Sequence, residues 1–336
     1  MKKLSLFFIG LLFVPVMFLT SCDRGDDLGD NNAVATPKFT LMKEYMVQNS
    51  RDINNILTNP DGEKFVTAAP ADASLNEFLN TYHIVDIRST EAFNTGHIEG
   101  AVNVPLGNLL AEAASATKPM LIVCYTGQTA CYATALLRLY GYSHTKALKW
   151  GMSGWNPATS GPWNGNIGDI AQNSVNWSYS AAPSNTTYSD PEPQFTINSN
   201  DGEALLKNRV EAVLADGLKG VSGSDVLENP GNYFVNNYFS EADYSGFGHI
   251  ANAYRINPFT LSDGTYKNLD PDRKVVTYCY TGQTSAVLSA TLNVLGYDAY
   301  SLRFGMNGLY NSNPAWSTNQ WGGDSNPKNL PLIVEN

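Results

Sequence analysis

The chain contains the same six-residue segment twice, and this repeat restricts the possible folds more than any other feature. The segment Cys124-Tyr125-Thr126-Gly127-Gln128-Thr129 returns unchanged as Cys279-Tyr280-Thr281-Gly282-Gln283-Thr284. The similarity continues, because 10 of the 19 positions from Cys124 to Tyr142 match those from Cys279 to Tyr297. The spacing of 155 residues is the length of a domain. We therefore predict tandem duplication of one domain and not a solenoid of short repeats.

Within each copy, short apolar segments alternate with segments that favour helices. In the first copy, Met120–Val123 is a continuous apolar run typical of a strand buried on both faces. Residues 130–140 favour a helix that stops at Gly141, and residues 147–150 form the next strand. The second copy repeats this with a strand at 274–278, a helix at 285–295 that stops at Gly296, and a strand at 300–304. A further strand at 83–87 has its counterpart at 233–237. This order predicts an α/β fold in which each copy is a parallel sheet with helices on both faces.

Length and charge exclude several classes of protein. The 336 residues are enough for two domains, each with its own core. A formal net charge of −10 is the opposite of the basic surface that nucleic-acid binding requires. Four cysteines in a chain of this length are too few for a dense disulfide framework.

The N-terminus has the pattern of an export sequence. Lys2 and Lys3 precede an apolar run at residues 4–19, which is shorter than the ~20 residues of a membrane-spanning helix. The run ends in Leu19-Thr20-Ser21-Cys22, which resembles the lipobox of bacterial lipoproteins. The resemblance implies cleavage before Cys22 and lipidation of its sulfur, and an uncleaved anchor helix is the alternative. We expect a protein held by lipid in the cell envelope of a Gram-negative bacterium, in the outer membrane facing the periplasm or the cell surface.

These patterns divide the chain into five segments. Loss of the two lysines at the N-terminus would bring the formal charge of the mature chain to −12. Residues 22–37 are acidic and lack any helical or strand period, as in a solvated tether. The predicted order is a signal peptide at 1–21, this tether at 22–37, domain 1 at 38–178, a Ser/Pro/Asn-rich linker at 179–194 and domain 2 at 195–336.

Both repeated cysteines are expected at the carboxyl end of a strand and the start of a helix. Open α/β sheets place their ligands there. Unpaired backbone N–H groups and the positive end of the helix dipole stabilise a thiolate, so we expect a lowered pKa and a nucleophilic sulfur. Gly127 and Gly282 allow the loops to curl around an anion, and the hydroxyls of Thr129 and Thr284 can donate to the sulfur or to that anion. The alternative is a buried structural cysteine, which is our interpretation of Cys131.

The first copy resembles the rhodanese family of sulfurtransferases. The resemblance rests on Val85-Asp86-Ile87-Arg88, on Gly96-His97-Ile98-Glu99-Gly100-Ala101-Val102-Asn103-Val104-Pro105, on the six-residue cysteine loop and on Leu148-Lys149-Trp150-Gly151-Met152-Ser153-Gly154-Trp155. It implies two tandem rhodanese-like domains, and it implies ping-pong transfer of sulfane sulfur through a cysteine persulfide at Cys124. The donors would be thiosulfate, polysulfide or a persulfide, and the acceptors a thiol, sulfide or cyanide. No metal and no organic cofactor is implied.

The second copy departs from the family pattern. Position by position, Asn236 replaces Asp86 and Tyr238 replaces Arg88. We expect Asp86 and Arg88 to brace the loops through hydrogen bonds and an ion pair with Glu91. Their loss weakens this support more than it weakens the nucleophile. Cys124 is therefore the first candidate for catalysis and Cys279 the second.

The loops themselves are uncharged. Family loops that favour thiosulfate often contain Arg or Lys, whereas Tyr125, Thr126, Gln128 and their copies are neutral. Lys149 and Arg303 occupy equivalent positions and are candidates for the missing cation, although solvated charges at strand ends are the interpretation we favour for them. A neutral polysulfur species, a persulfide or a protein thiol then becomes an attractive partner. We expect His97 and His249 to hydrogen-bond to the backbone and not to act as general bases.

Two other functions remain open. One is a sulfur carrier, or a module that binds an anion or a partner, without turnover. The other is a redox sensor in which Cys124 forms a disulfide with Cys131.

Overall fold

The computed structural model describes residues 37–194, 197 and 199–335. The predicted signal peptide, Cys22 and the first residues of predicted domain 2 lie outside this part. Among the described helices, none has the length and apolar character needed to span a membrane. Residues 179–194 form neither helix nor strand, while the domain boundaries themselves stay a prediction.

The first copy is a five-stranded sheet surrounded by helices. Its strands follow the order β1-β5-β4-β2-β3, and all pairs are parallel. Its elements are α1 (Lys38–Gln48), α2 (Ile53–Leu57), β1 (Val66–Thr67), α3 (Leu75–Thr81), β2 (His83–Asp86), α4 (Thr90–Thr95), β3 (Val102–Asn103), α5 (Leu109–Ser115), β4 (Met120–Val123), α6 (Gln128–Tyr140), β5 (Lys146–Leu148), α7 (Gly151–Trp155), α8 (Gly161–Asn164) and β6 (Trp177–Ser178).

The second copy repeats this plan with four parallel strands in the order β7-β11-β10-β8. The predicted α/β fold is therefore confirmed in both copies. Its elements are α9 (Gly202–Asp216), β7 (Gly220–Val221), α10 (Gly223–Glu228), β8 (Phe234–Asn237), α11 (Glu241–Phe247), β9 (His249–Ile250), β10 (Val275–Tyr278), α12 (Gln283–Val294), β11 (Ala299–Leu302) and α13 (Gly305–Leu309).

Strand β8 corrects the predicted correspondence between the copies by one residue. Asp86 pairs with Val123, whereas Asn237, and not Asn236, pairs with Tyr278, which is the repeat of Val123. The side chain of Asn237 also accepts a hydrogen bond from the N–H of Phe239, as Asp86 does from Arg88. The counterparts of Asp86 and Arg88 are thus Asn237 and Phe239. Sequence comparison misses this because the strand contains no identical residue to fix its register.

A shared layer of helices joins the two copies. Helix α6 packs along α12, each of them against the sheet of its own copy, and α1 packs along α9, which contacts both. Buried side chains of both copies form one hydrophobic cluster there, including Leu136, Cys131 and Ala286. The hydroxyl of Tyr132 donates across this layer to the backbone oxygen of Val213 at 2.8 Å. The starts of α6 and α12, where the cysteine loops lie, are therefore held side by side.

The end segments of the copies are exchanged. Strand β6, which follows the first copy, pairs antiparallel with β9 of the second copy. The C-terminal segment of the second copy returns to the first, where Ile333 pairs with His97 and Leu330 packs beside Trp155. Each copy is thus covered by chain that follows the other.

Candidate active site

Cys124 directly follows β4, and its sulfur lies at the start of α6. Its side chain is buried, with 3% of the residue exposed. The N–H groups of Gly127 and Ala130 donate to Sγ at 3.2 Å and 3.3 Å. Gly127 has φ = +84°, a left-handed conformation that turns the loop back over the sulfur. The predicted strand, loop and helix arrangement is confirmed here, including the cup of backbone donors.

The pKa of the Cys124 thiol differs from the expectation. Burial raises this pKa, and backbone N–H groups of Ala130, Thr126 and Gly127 act in the opposite direction. The carboxylate of Asp86 adds to the increase. The donors of the loop therefore reduce the desolvation penalty of the thiolate without reversing it, so the expected lowered pKa is wrong for Cys124.

The residues that follow β5 hold the Cys124 loop in place by hydrogen bonds. The N–H of Met152 donates to the Cys124 carbonyl at 2.8 Å, and the Ser153 hydroxyl donates to the Tyr125 carbonyl at 2.8 Å. Gly151 has φ = +59°, and a Cβ atom there would collide with the carbonyl oxygen of Cys124. Only glycine fits this close approach, and Gly305 lies in the same way against the Cys279 carbonyl, which explains the glycine of the Gly-Met pair in each copy.

Cys124 opens into a pocket of about 420 Å³ that both copies form. The first copy contributes its loop together with Pro162 and Asn166. The second copy contributes Leu218, Arg303 and Phe304. The pocket is thus apolar on several sides, with one cation and a few amide and hydroxyl groups, as expected for a small-molecule site.

Arg303 and Lys149 are equivalent in sequence and different in environment. Arg303 is exposed, lines the Cys124 pocket, and has no carboxylate within 4.0 Å among the residues that the structure describes. Lys149 instead donates to the side chain of Asn319 at 2.7 Å, and burial lowers its pKa. Arg303 is therefore the cation available to an anion at Cys124, although it belongs to the other copy.

Asp86 and Arg88 form a buried ion pair behind the loop. The Arg88 guanidinium donates to both carboxylate oxygens of Asp86, at 2.7–3.0 Å, and to the Gly96 carbonyl at 2.7 Å. It also lies 5.6 Å from the ring centre of Tyr125. Glu91 is exposed, so the ion pair of Arg88 is formed with Asp86 and not with Glu91. The predicted bracing role is otherwise what the geometry supports.

The second copy replaces this ionic support with aromatic stacking. Phe239, the counterpart of Arg88, stacks on Tyr280 with ring centres 4.5 Å apart. The Tyr280 hydroxyl donates to the carboxylate of Asp243. Tyr280 is consequently half-buried, whereas Tyr125 is 41% exposed.

Cys279 has different partners from Cys124. The N–H of Ser285 donates to its sulfur at 3.4 Å, and the thiol lies 3.7 Å from the Ser285 hydroxyl. That hydroxyl is also 2.7 Å from the hydroxyl of Ser301. Ser285 stands where the first copy has Ala130, so the second site adds a buried pair of hydroxyls to the sulfur.

The remaining predicted residues take mainly structural positions. Thr129 lines the Cys124 pocket, and within the described chain neither its hydroxyl nor that of Thr284 is hydrogen-bonded to a cysteine sulfur. His97 contacts the Phe93 carbonyl through Nδ1 at 3.0 Å, as expected. His249 is buried against Tyr244, and burial lowers its pKa.

Cys131 lies inside the helix layer and is fully buried. Burial raises its pKa well above the ordinary value. A thiol in this environment is a poor nucleophile, which supports the packing interpretation over that of a resolving cysteine. Among the residues described, no three His, Cys, Asp or Glu side chains form a cluster able to hold a metal ion.

Sequence reasoning did not identify the contacts made between the loops. Gln283 donates to the Thr126 carbonyl, Gln128 accepts from the N–H of Phe304, and Trp163 also donates to Thr126. The identical sequences of the two loops show that Gln128 and Gln283 occupy equivalent positions. They do not show that each glutamine hydrogen-bonds to the other copy.

Comparison with known proteins identifies the family that the two copies resemble. The model of the family described as "Rhodanese-like domain" matches residues 71–158 and 238–312. A thiosulfate sulfurtransferase (GlpE) of Shewanella oneidensis is 37% identical over 79 residues, which cover 23% of this chain and 78% of the relative. A protein of the same name from Pseudomonas fluorescens is 34% identical over 74 residues, which cover 21% of this chain and 68% of the relative.

A solved structure is similar over more of the chain. The thiosulfate sulfurtransferase of Pseudomonas aeruginosa is 16% identical, with a TM-score of 0.28, and the match covers 85% of this chain. This chain spans about half of that protein, 49% of its length. The family model and the two curated relatives give the assignment: the chain belongs to the rhodanese-like sulfurtransferase family and contains two rhodanese-like domains.

Proposed function

We propose that this protein moves sulfane sulfur from thiosulfate, polysulfide or a persulfide donor to a thiol, sulfide or cyanide acceptor, through a persulfide on Cys124. The observation that supports this most directly is the placement of Cys124 Sγ. It receives N–H donors from Gly127 and Ala130 and opens into a pocket that also contains Arg303. A nucleophilic sulfur, donors for its negative charge and a nearby cation are the groups that this reaction requires.

The proposed reaction has two displacement steps. The Cys124 thiolate attacks the outer sulfur of thiosulfate, the S–S bond to the sulfonate sulfur breaks, and sulfite leaves with that electron pair. Cys124 then holds a persulfide anion, stabilised by the same backbone N–H groups. In the second step, cyanide or a thiolate attacks the outer sulfur, the Cys124 thiolate leaves, and thiocyanate or a new persulfide is released. The proton of the resting thiol passes to solvent before the first attack.

Arg303 bears on the choice of donor. The loop is neutral and the formal charge of the chain is −10, which disfavours capture of a dianion. Arg303 is an exposed cation at the pocket, without a carboxylate partner among the residues described, and its guanidinium is suited to a sulfonate group. We therefore place thiosulfate alongside polysulfide and persulfide donors, and small sulfur compounds or protein thiols are the partners.

Cys279 is the second proposed nucleophile, and the carrier function finds its best support there. Its thiol contacts the Ser285 hydroxyl, and its loop is more covered than that of Cys124, since Thr281 is buried and Tyr280 half-buried where Tyr125 is exposed. A sulfur atom bound in this enclosed site would exchange slowly with acceptors. The non-turnover alternative, a sulfur carrier or an envelope lipoprotein that binds an anion or a partner, therefore applies to Cys279 more readily than to Cys124.

Single replacements of the two cysteines test this division. Purified wild type, Cys124→Ser, Cys279→Ser and the double variant would be loaded with thiosulfate or polysulfide and treated with cyanide. We expect Cys124→Ser to lose most thiocyanate formation and Cys279→Ser to retain most of it. Full turnover by the double variant would exclude both cysteines. A gain of about 32 Da, one sulfur atom, on a cysteine peptide without turnover would instead identify a carrier.

We also propose that lipid on Cys22 anchors the protein in the cell envelope. The support is the sequence of residues 1–22 alone. Metabolic labelling with a radioactive fatty acid, compared between wild type and Cys22→Ser, tests it. Label retained by the variant would contradict lipidation at Cys22.

A further inference from the structure

The backbone amide that donates to Cys124 is itself held by the second copy. The carbonyl of Thr126 and the N–H of Gly127 belong to one peptide group, and this N–H donates to Cys124 Sγ at 3.2 Å. The carbonyl accepts two hydrogen bonds, from Nε2 of Gln283 and from Nε1 of Trp163, both at 3.1 Å. Because a peptide group is planar, fixing its carbonyl also fixes the direction of its N–H.

Gln283 lies in a position that leaves it little freedom. It is 3% exposed, and a Cβ atom added to Gly127 would lie 2.6 Å from its Nε2. Its amide therefore rests directly on the glycine of the Cys124 loop. Hydrogen bonds to the Thr126 carbonyl also polarise this peptide group, which strengthens its N–H as a donor.

The loop of Cys279 lacks this anchoring of its peptide group, although Gln128 occupies the position equivalent to Gln283. Gln128 bonds to the N–H of Phe304 at 2.9 Å and to the Thr126 hydroxyl at 3.1 Å. Trp321, the tryptophan of the second copy that lies in one cluster with Trp163, donates to the side chain of Asn164. Within the described part of the chain, neither reaches the Thr281 carbonyl, and the N–H of Gly282 makes no hydrogen bond to Cys279. Anchoring of the carbonyl and donation to sulfur thus occur together in one copy and are both missing in the other.

We propose that Gln283 is a positioning residue for Cys124: the second copy orients the Thr126–Gly127 peptide and so stabilises negative charge on the sulfur of the first copy. This deepens the proposed function, since it gives the duplicated loop a role at the other loop's cysteine. Gln283 acts through the peptide and does not itself touch the sulfur.

The test compares thiol reactivity, which does not depend on sulfur transfer. Iodoacetamide alkylation of the Cys124 and Cys279 peptides would be followed by mass spectrometry from pH 6 to 10. Charged groups around Cys124 are Asp86 and Arg88 behind the loop and Arg303 in the pocket, and all three stay unchanged. In Gln283→Met, which keeps the length and removes the donor, we expect Cys124 alkylation at pH 8 to fall about fivefold, as for loss of one hydrogen bond. Its pH profile should move to higher pH.

Two further variants make the outcome decisive. Gln48→Met changes an exposed glutamine on α1 and should leave the profile as in wild type. Trp163→Phe removes the other donor to the same carbonyl and should shift Cys124 in the same direction, which keeps the test available if Gln283→Met does not fold. An unchanged Cys124 profile in folded Gln283→Met, or an equal loss in Gln48→Met, would overturn the proposal. If wild type forms no persulfide and the profile still shifts, the proposed function fails and the positioning role stands.

Discussion

Arg303, at the end of the last strand of the second copy, lines the same pocket as Cys124 of the first copy. The cation of this pocket thus comes from one repeat and the proposed nucleophile from the other. We expect Arg303→Gln to raise the KM for thiosulfate about tenfold, the loss of one charge-assisted contact. An uncharged polysulfur donor should be affected far less. Thiocyanate formation with each donor measures this, and Lys118→Gln, an exposed lysine at another pocket, controls for net charge. Equal effects on both donors would argue against anion binding by Arg303.

The reactivity of Cys124 should rise with pH throughout the neutral and alkaline range. Burial raises the pKa of its thiol, so at pH 7 the reactive thiolate is the minor form. Below its pKa the thiolate fraction increases about tenfold for each pH unit. Persulfide loading and alkylation at Cys124 should follow this slope between pH 6.5 and 8.5. A plateau that begins below pH 7 would show that the loop donors outweigh burial.

The buried pair of Asp86 and Arg88 should contribute to stability. The side chains are 1% and 3% exposed, so Asp86→Asn leaves a buried guanidinium without its counter-charge. We expect a decrease of about 3 kcal/mol in the free energy of unfolding. The double change Asp86→Asn with Arg88→Phe copies the Asn237 and Phe239 of the second repeat, and should recover much of the loss. Urea unfolding measures both, and a double variant less stable than the single one would refute the equivalence.

Gly151 should not tolerate replacement even by alanine. Gly151→Ala places a methyl group against the Cys124 carbonyl at a residue with φ = +59°. We expect the free energy of unfolding to fall by about 2 kcal/mol, with loss of sulfur transfer as the loop shifts. Gly107→Ala is the matched control, since no atom lies within 4 Å of its added Cβ. Thermal unfolding and thiocyanate formation check both variants, and equal behaviour of the two would contradict the steric argument.

The local structure at Cys124 is predictable because its causes are close in sequence. An apolar run, a glycine-containing loop and an Ala/Leu-rich segment predict β4, the turn and α6, and the observed helix starts only two residues before the predicted one. The equivalence of Asn237 and Asp86 cannot be predicted from the sequence, since β8 resembles β2 in burial and not in its residues. The contacts of Arg303 and Gln283 depend on how two whole repeats pack. The raised pKa of Cys124 depends on burial that only the folded chain defines.

The exchanged end segments have a consequence for how this duplication can change. If the chain were divided within residues 179–194, the N-terminal half alone would lack the segment that contains Leu330 and Leu332. The apolar surface around Trp155 would then be exposed to water. Neither half is therefore expected to fold as a self-sufficient protein, whereas the two fragments produced together should reassociate. Deleting the second repeat would remove from the first both the segment that covers Trp155 and one wall of the Cys124 pocket. We therefore expect the two repeats to be retained together.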